Sequence, residues 1–137
     1  MTETDWLAIL DADRRGLDLG APASDASLSA LAARLGRPVP ADLRSLLTVA
    51  DGFQDRAGQW QCAWIADRIA AETEQLWTAG SLDGSRLAFG DNGAGDPFCL
   101  VLTGEAEGQV EEWSAIDGEP IRSWPDLASF WSDWLAA

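Results

Sequence analysis

Apolar residues change their period part-way along this chain, and that change limits the architectures open to it. Leu28, Leu31 and Leu35 form one stripe of three- and four-residue spacing, and Leu43, Leu46, Leu47 and Ala50 form another. Each stripe places its members on one side of an α-helix. From Leu87 to Trp124 the apolar residues come instead in short runs broken by glycine and aspartate, the pattern of strands joined by turns. Beyond Pro125 helical spacing returns through Leu127, Phe130, Trp131 and Trp134. Helices, then strands, then a helix predict an α+β fold, a mostly antiparallel sheet packed by N-terminal and C-terminal helices. The 137 residues suit one domain, residues 1–137, and a chain of this length buries roughly 68% of its unfolded surface.

Local signals place the elements. Thr4 is the N-cap candidate for a helix with Trp6, Ile9 and Leu10 inward, and "LDLGAPAS" reads as a loop. Ser24 caps the next helix and Gly36 takes the left-handed position that closes it. Pro40 suits the first position of the third helix, which Gly52 ends. In "QWQCAWI", Trp60, Cys62 and Trp64 alternate with Gln61 and Ala63, as in a half-buried strand. A helix follows, with Ile65, Ile69, Leu76 and Trp77 toward the core. "SRLAFG", "PFCLVLT" and "GQVEEWSAI" read as strands, and Asp117–Gly118 turns the chain into "EPIRSW". Pro120 puts that strand on a sheet edge, and Pro125 starts the last helix.

Composition narrows the function. The chain has no histidine and no lysine, nine arginines, 23 acids and a net charge of −14. Nucleic acid and anionic membranes both demand positive surface, so neither is an expected partner. A basic protein is. The first fifteen residues carry acids where a secretory signal carries a basic patch, so a cytoplasmic protein is expected. Cys62 and Cys99 lie in apolar strand-like stretches and read as buried thiols rather than a disulfide.

The stretch Gly90–Asp96, "GDNGAGD", invites a metal or phosphate reading. Counted from Asp91 as an EF-hand loop, the third, fifth, sixth and twelfth positions hold Gly93, Gly95, Asp96 and Leu102, and all four are wrong. A phosphate loop needs a lysine and a following helix. The remaining reading is a strand connection, with glycines for positive φ and Asp91 and Asn92 bonding the turn's own backbone. Without histidine there is no histidine-based triad or metal site. Glu111 and Glu112 are strand neighbours and point to opposite faces, which does not suit a two-carboxylate mechanism. No enzyme activity, cofactor or metal is expected.

Three segments carry a resemblance: "VPADLRSLLTVADGF", "LAFGDNGAGDPFCLVL" and "GQVEEWSAIDGEPIRSWPDLASFWSDWL". Pro40, Asp42 and Leu43, then Asp51 and Gly52, then Gly95, Asp96, Phe98, Cys99 and Leu100 fit the motifs of the SUKH superfamily (Smi/Knr-like domains). So do Gly108, Val110 and Trp113, and Ser129 with Phe130. The resemblance covers roughly residues 24–135. Ser114 and Ala115 depart from it, standing where members often carry a histidine or an acid. It implies a curved sheet packed by helices and a non-catalytic binding domain. Many bacterial members are immunity proteins that bind and neutralise a toxin; others, including the fungal branch, are regulatory scaffolds.

Between Leu87 and Ile121 stand eight acids and no arginine: Asp91, Asp96, Glu105, Glu107, Glu111, Glu112, Asp117 and Glu119. Together with Trp113 these are the candidate partner-binding residues, facing a basic toxin domain, with solvation of loops and strand faces as the alternative for any single acid. In "VEEWS" the alternation of faces fails. Either a bulge shifts the register, leaving Trp113 in the core, or Trp113 lies outside as a contact residue.

Overall fold

The expected elements form, with local corrections. The computed structural model describes residues 4–11, 17–55 and 62–136. Helix α1 (Trp6–Asp11) is capped by Asp5, not Thr4: Asp5 Oδ1 accepts from Ala8 N at 3.1 Å. The expected loop at "LDLGAPAS" begins as strand β1 (Leu17–Leu19). Three residues show no period, and β1 exists because β2 (Phe53–Asp55) lies beside it. Helix α2 (Asp25–Leu35) has the expected ends, with Ser24 Oγ accepting from Ser27 N at 3.1 Å and Gly36 at φ 72°. Helix α3 (Ala41–Val49) starts one residue after Pro40, which occupies the cap position.

Strand β3 (Cys62–Ala63) is shorter than the alternation suggested; Trp60 and Gln61 lie outside the described residues. Helix α4 (Ala66–Ala79) buries Ile69, but Ile65 caps it and is exposed rather than in the core. Strands β4 (Arg86–Asp91), β5 (Pro97–Val101), β6 (Val110–Ser114) and β7 (Glu119–Trp124) follow as expected. Helix α5 (Leu127–Ala136) is capped by Asp126, whose Oδ1 accepts from Ser129 N at 2.7 Å; Pro125 stands before the cap.

The strands lie in sequence order, β1 to β7, and every recorded pairing is antiparallel. Residues Leu87, Phe89, Phe98, Leu100 and Val110 of the sheet, with Phe130 and Trp131 of α5, are all buried in one core cluster. The rings of Phe89, Phe98, Phe130 and Trp131 meet edge to face at 4.7–6.0 Å in several pairs, the geometry aromatic quadrupoles favour. Trp6 Nε1 donates to Ser45 Oγ at 3.0 Å and ties α1 to α3.

Helix α4 closes an edge. Strand β3 meets β4 at Asp91 and Gly90, then leaves the sheet for α4. Phe89 O accepts from Trp64 N at 2.8 Å, and the polar groups beyond it along β4 are met by side chains of that helix. The Thr73 hydroxyl donates to Ala88 O at 3.1 Å and accepts from Ala88 N at 3.0 Å, and Trp77 Nε1 donates to Arg86 O at 2.7 Å. Thr73 is the one polar residue of α4 that is fully buried, because the backbone it serves has no neighbouring strand there.

Candidate functional site

The glycine-rich stretch is a turn that holds its own backbone. Asp91 Oδ1 accepts from Gly93 N, and Asn92 Oδ1 from Ala94 N, each at 2.8 Å. Gly93 and Gly95 sit at φ 83° and 99°, where any side chain would be strained. The second oxygen of Asp91 accepts from Trp64 Nε1 at 3.0 Å and lies 3.8 Å from Arg68. Asp96 Oδ1 reaches across to accept Ala115 N at 3.0 Å. That bond fixes the β4–β5 turn against the β6–β7 turn at one end of the sheet.

Glu111 and Glu112 are buried, at 7% and 6% exposure. They do point to opposite faces. Glu111 sits opposite Cys99 and Ser123, Glu112 opposite Phe98 and Arg122. Arg86 Nε donates to Glu111 Oε1 at 2.5 Å, and Arg122 Nε to Glu112 Oε1 at 2.9 Å. Asn92 Nδ2 gives Glu112 a second donor at 2.9 Å. The acidic run therefore has compensating arginines after all. They stand immediately before and after it in sequence, and antiparallel pairing folds them onto it. Buried carboxylates need such partners.

Trp113 takes the core alternative. A bulge at Glu112/Trp113 shifts the register; Trp113 is buried and donates from Nε1 to Ser81 O at 3.2 Å. The Arg86 guanidinium lies 5.0 Å from its ring centroid. Its ion pair with Glu111 is the main cause holding the Arg86 pKa above its usual value. Asp83, also paired to Arg86, is held below the usual carboxylate range, first by the Ser85 hydroxyl. Burial pushes the Cys99 thiol up, and Cys99 is a free cysteine.

Four candidates remain at the surface. Glu105 and Glu107 lie in the β5–β6 turn, Asp117 and Glu119 at the β6–β7 turn, all exposed. The two pairs occupy opposite ends of the sheet, separated by a five-residue strand of about 17 Å. They do not make one patch. Glu107 shares a cavity of about 370 Å³ with Arg37 and Asp42.

Another hollow of about 460 Å³ lies where β1, β2 and the start of α4 meet, lined by Leu19, Asp51, Gly52, Gln54, Trp64 and Arg68. Trp64 could be read as part of an apolar stripe, but its hollow required the long-range pairing of β1. Here the Asp51–Gly52 motif has a structural duty. Asp51 Oδ1 accepts Ala66 N at 2.7 Å, capping α4 from outside the helix. Gly52 is at φ 83°, and a Cβ there would stand 3.0 Å from Ala63 O. Among the described residues no three acidic or cysteine side chains come together to hold a metal ion, and no helix is long and apolar enough to cross a membrane.

A model of the SMI1/KNR4 family (SUKH-1) matches residues 22–136. The chain belongs to that family. No individual curated protein matches it. The SUKH-1 match spans α2 through α5, so it includes Asp51–Gly52, the Asp91–Asp96 turn and the Glu111–Trp113 strand, each of which has structural work within the fold.

Proposed function

We propose that this SUKH-1 chain is a non-catalytic immunity protein, which binds a basic bacterial toxin domain in the cytoplasm and blocks it by occupancy. The observation that carries this reading is the acidic character of the exposed turns in a family of protein-binding domains. Asp117 and Glu119 stand at the surface with no arginine between Trp113 and Ile121. A surface of that sign speeds encounter with a cationic partner and repels nucleic acid. The absence of histidine and lysine from the whole sequence supports occupancy rather than turnover as the mode of action.

Co-expression with the toxin encoded beside its gene tests the proposal. Growth should be restored and a complex should co-purify. Titrating purified toxin with the chain should reach its endpoint at stoichiometric ratio. Neutralisation at a small fraction of that ratio would mean the chain acts as an enzyme. No rescue and no complex would leave a regulatory or scaffold role with a housekeeping protein.

A further inference from the structure

The β6–β7 hairpin carries an unusual side chain at its tip. Ile116 is 93% exposed, in a turn where a β-branched residue has no conformational advantage. The turn is held firmly. Gly118 N donates to Ser114 O at 2.9 Å, Asp117 N to Ser114 Oγ at 3.0 Å, and Ala115 N to Asp96. On the same hairpin the bulge leaves Ile121 outside the pairing register, 52% exposed. The apolar residues of β6 itself, Val110 and Trp113, are buried. Single exposed hydrophobic residues are common on protein surfaces. Here two sit on one rigid hairpin at the sheet's edge, with Asp117 and Glu119 beside them and no cation from residues 113 to 121.

We infer that this hairpin is the docking surface for a basic partner segment, whose apolar side chains meet Ile116 and Ile121 while flanking lysines or arginines meet Asp117 and Glu119. The inference rests on the partner-binding function proposed above and gives it a location. Charge decides the class of occupant. A second copy of a chain with net charge −14 would bring the same acids against these. Pro120 and the bulge also spoil the edge for simple strand addition, so side chains rather than backbone carry the contact. A turn fixed before binding loses little conformational freedom on docking.

A library of random peptides displayed on phage, selected against the purified chain, provides the probe. Enriched peptides should carry a large apolar residue flanked by lysine or arginine. Ile116→Asp should weaken them about tenfold or more. The double variant Asp117→Lys, Glu119→Lys should do the same and should remove the salt dependence. Because these side chains are exposed, melting curves of the variants should match the parent. Glu105→Lys with Glu107→Lys, at the far end of the sheet, should leave affinity unchanged. Three results overturn the inference: no enrichment, binding indifferent to Ile116→Asp, or equal loss in the far-end variant. If the toxin is neutralised but the hairpin variants still neutralise it, partner binding stands and the location is wrong. If peptides select as expected but no toxin is neutralised, the surface stands and the immunity role is wrong.

Discussion

Arg86 and Glu111 face each other from β4 and β6 across the intervening strand, Nε to Oε1 at 2.5 Å, with both side chains largely out of water. The Trp113 ring lies beside the guanidinium and Asp83 takes its outer nitrogen. Removing Glu111 leaves the Arg86 guanidinium with only the more exposed Asp83 carboxylate as its partner. Glu111→Ala should cost roughly 3 kcal/mol, measured as a shift in the denaturant midpoint. Reversing Glu111 and Glu112 to lysine would therefore damage the fold before it reported on any partner. An unchanged midpoint in Glu111→Ala would show that the pair is dispensable.

Phe130 lies at the centre of the aromatic core, against Phe98 and Trp131 at 4.7 Å each. Phe130→Ala should cost about 3–5 kcal/mol, because close-packed rings on several sides cannot all collapse into the space. Equilibrium unfolding in urea measures it. A loss below the range for small surface changes would contradict complete burial.

Asp51 acts on a helix it does not belong to. Asp51→Ala should cost about 1 kcal/mol, the usual worth of an N-cap side chain. Asp51→Asn keeps the acceptor and should recover most of it. Thermal melts of the two variants side by side decide between a cap and a charge effect.

Asp83 links stability to pH. Its carboxyl is held below its ordinary value, chiefly by the Ser85 hydroxyl. Its folded-state contribution is therefore present above the unfolded carboxylate pKa and is lost as pH falls through the lower folded value. Asp83→Asn should be less stable than the parent at neutral pH, by no more than about 1 kcal/mol for so exposed a group. The difference should vanish in acid. A gap that persisted at low pH would assign the effect to something other than this ionisation.

The parts of this fold that were legible in the sequence are those with local causes. The leucine stripe of α2, its Ser24 cap and its Gly36 terminus needed no knowledge of the rest of the chain. The same holds for the turn at Asp91–Asp96, where Asp91 and Asn92 each accept from the backbone two residues on. Strand β1 was not legible, because its three residues become a strand only by lying against Phe53–Asp55. The acidic run misled for a related reason. Arg86 and Arg122 lie just outside its two ends, 25 and 10 residues from the glutamates they serve, and only the register of β4 through β7 brings them to Glu111 and Glu112. Trp113 depended on a bulge that the broken alternation of "VEEWS" hinted at without choosing its outcome.

The contact between Thr73 and Ala88 bears on how the chain is made as well as on how it stands. An unpaired strand edge is a template for other chains while a protein is still partly folded. Residues 66–79 leave the ribosome before residues 86–91, so the helix that shuts the β4 edge is synthesised ahead of the strand it covers. When the apolar run from Phe98 to Leu102 emerges, one side of the growing sheet already has its cover to hand, and the side left open is the one this run itself pairs with.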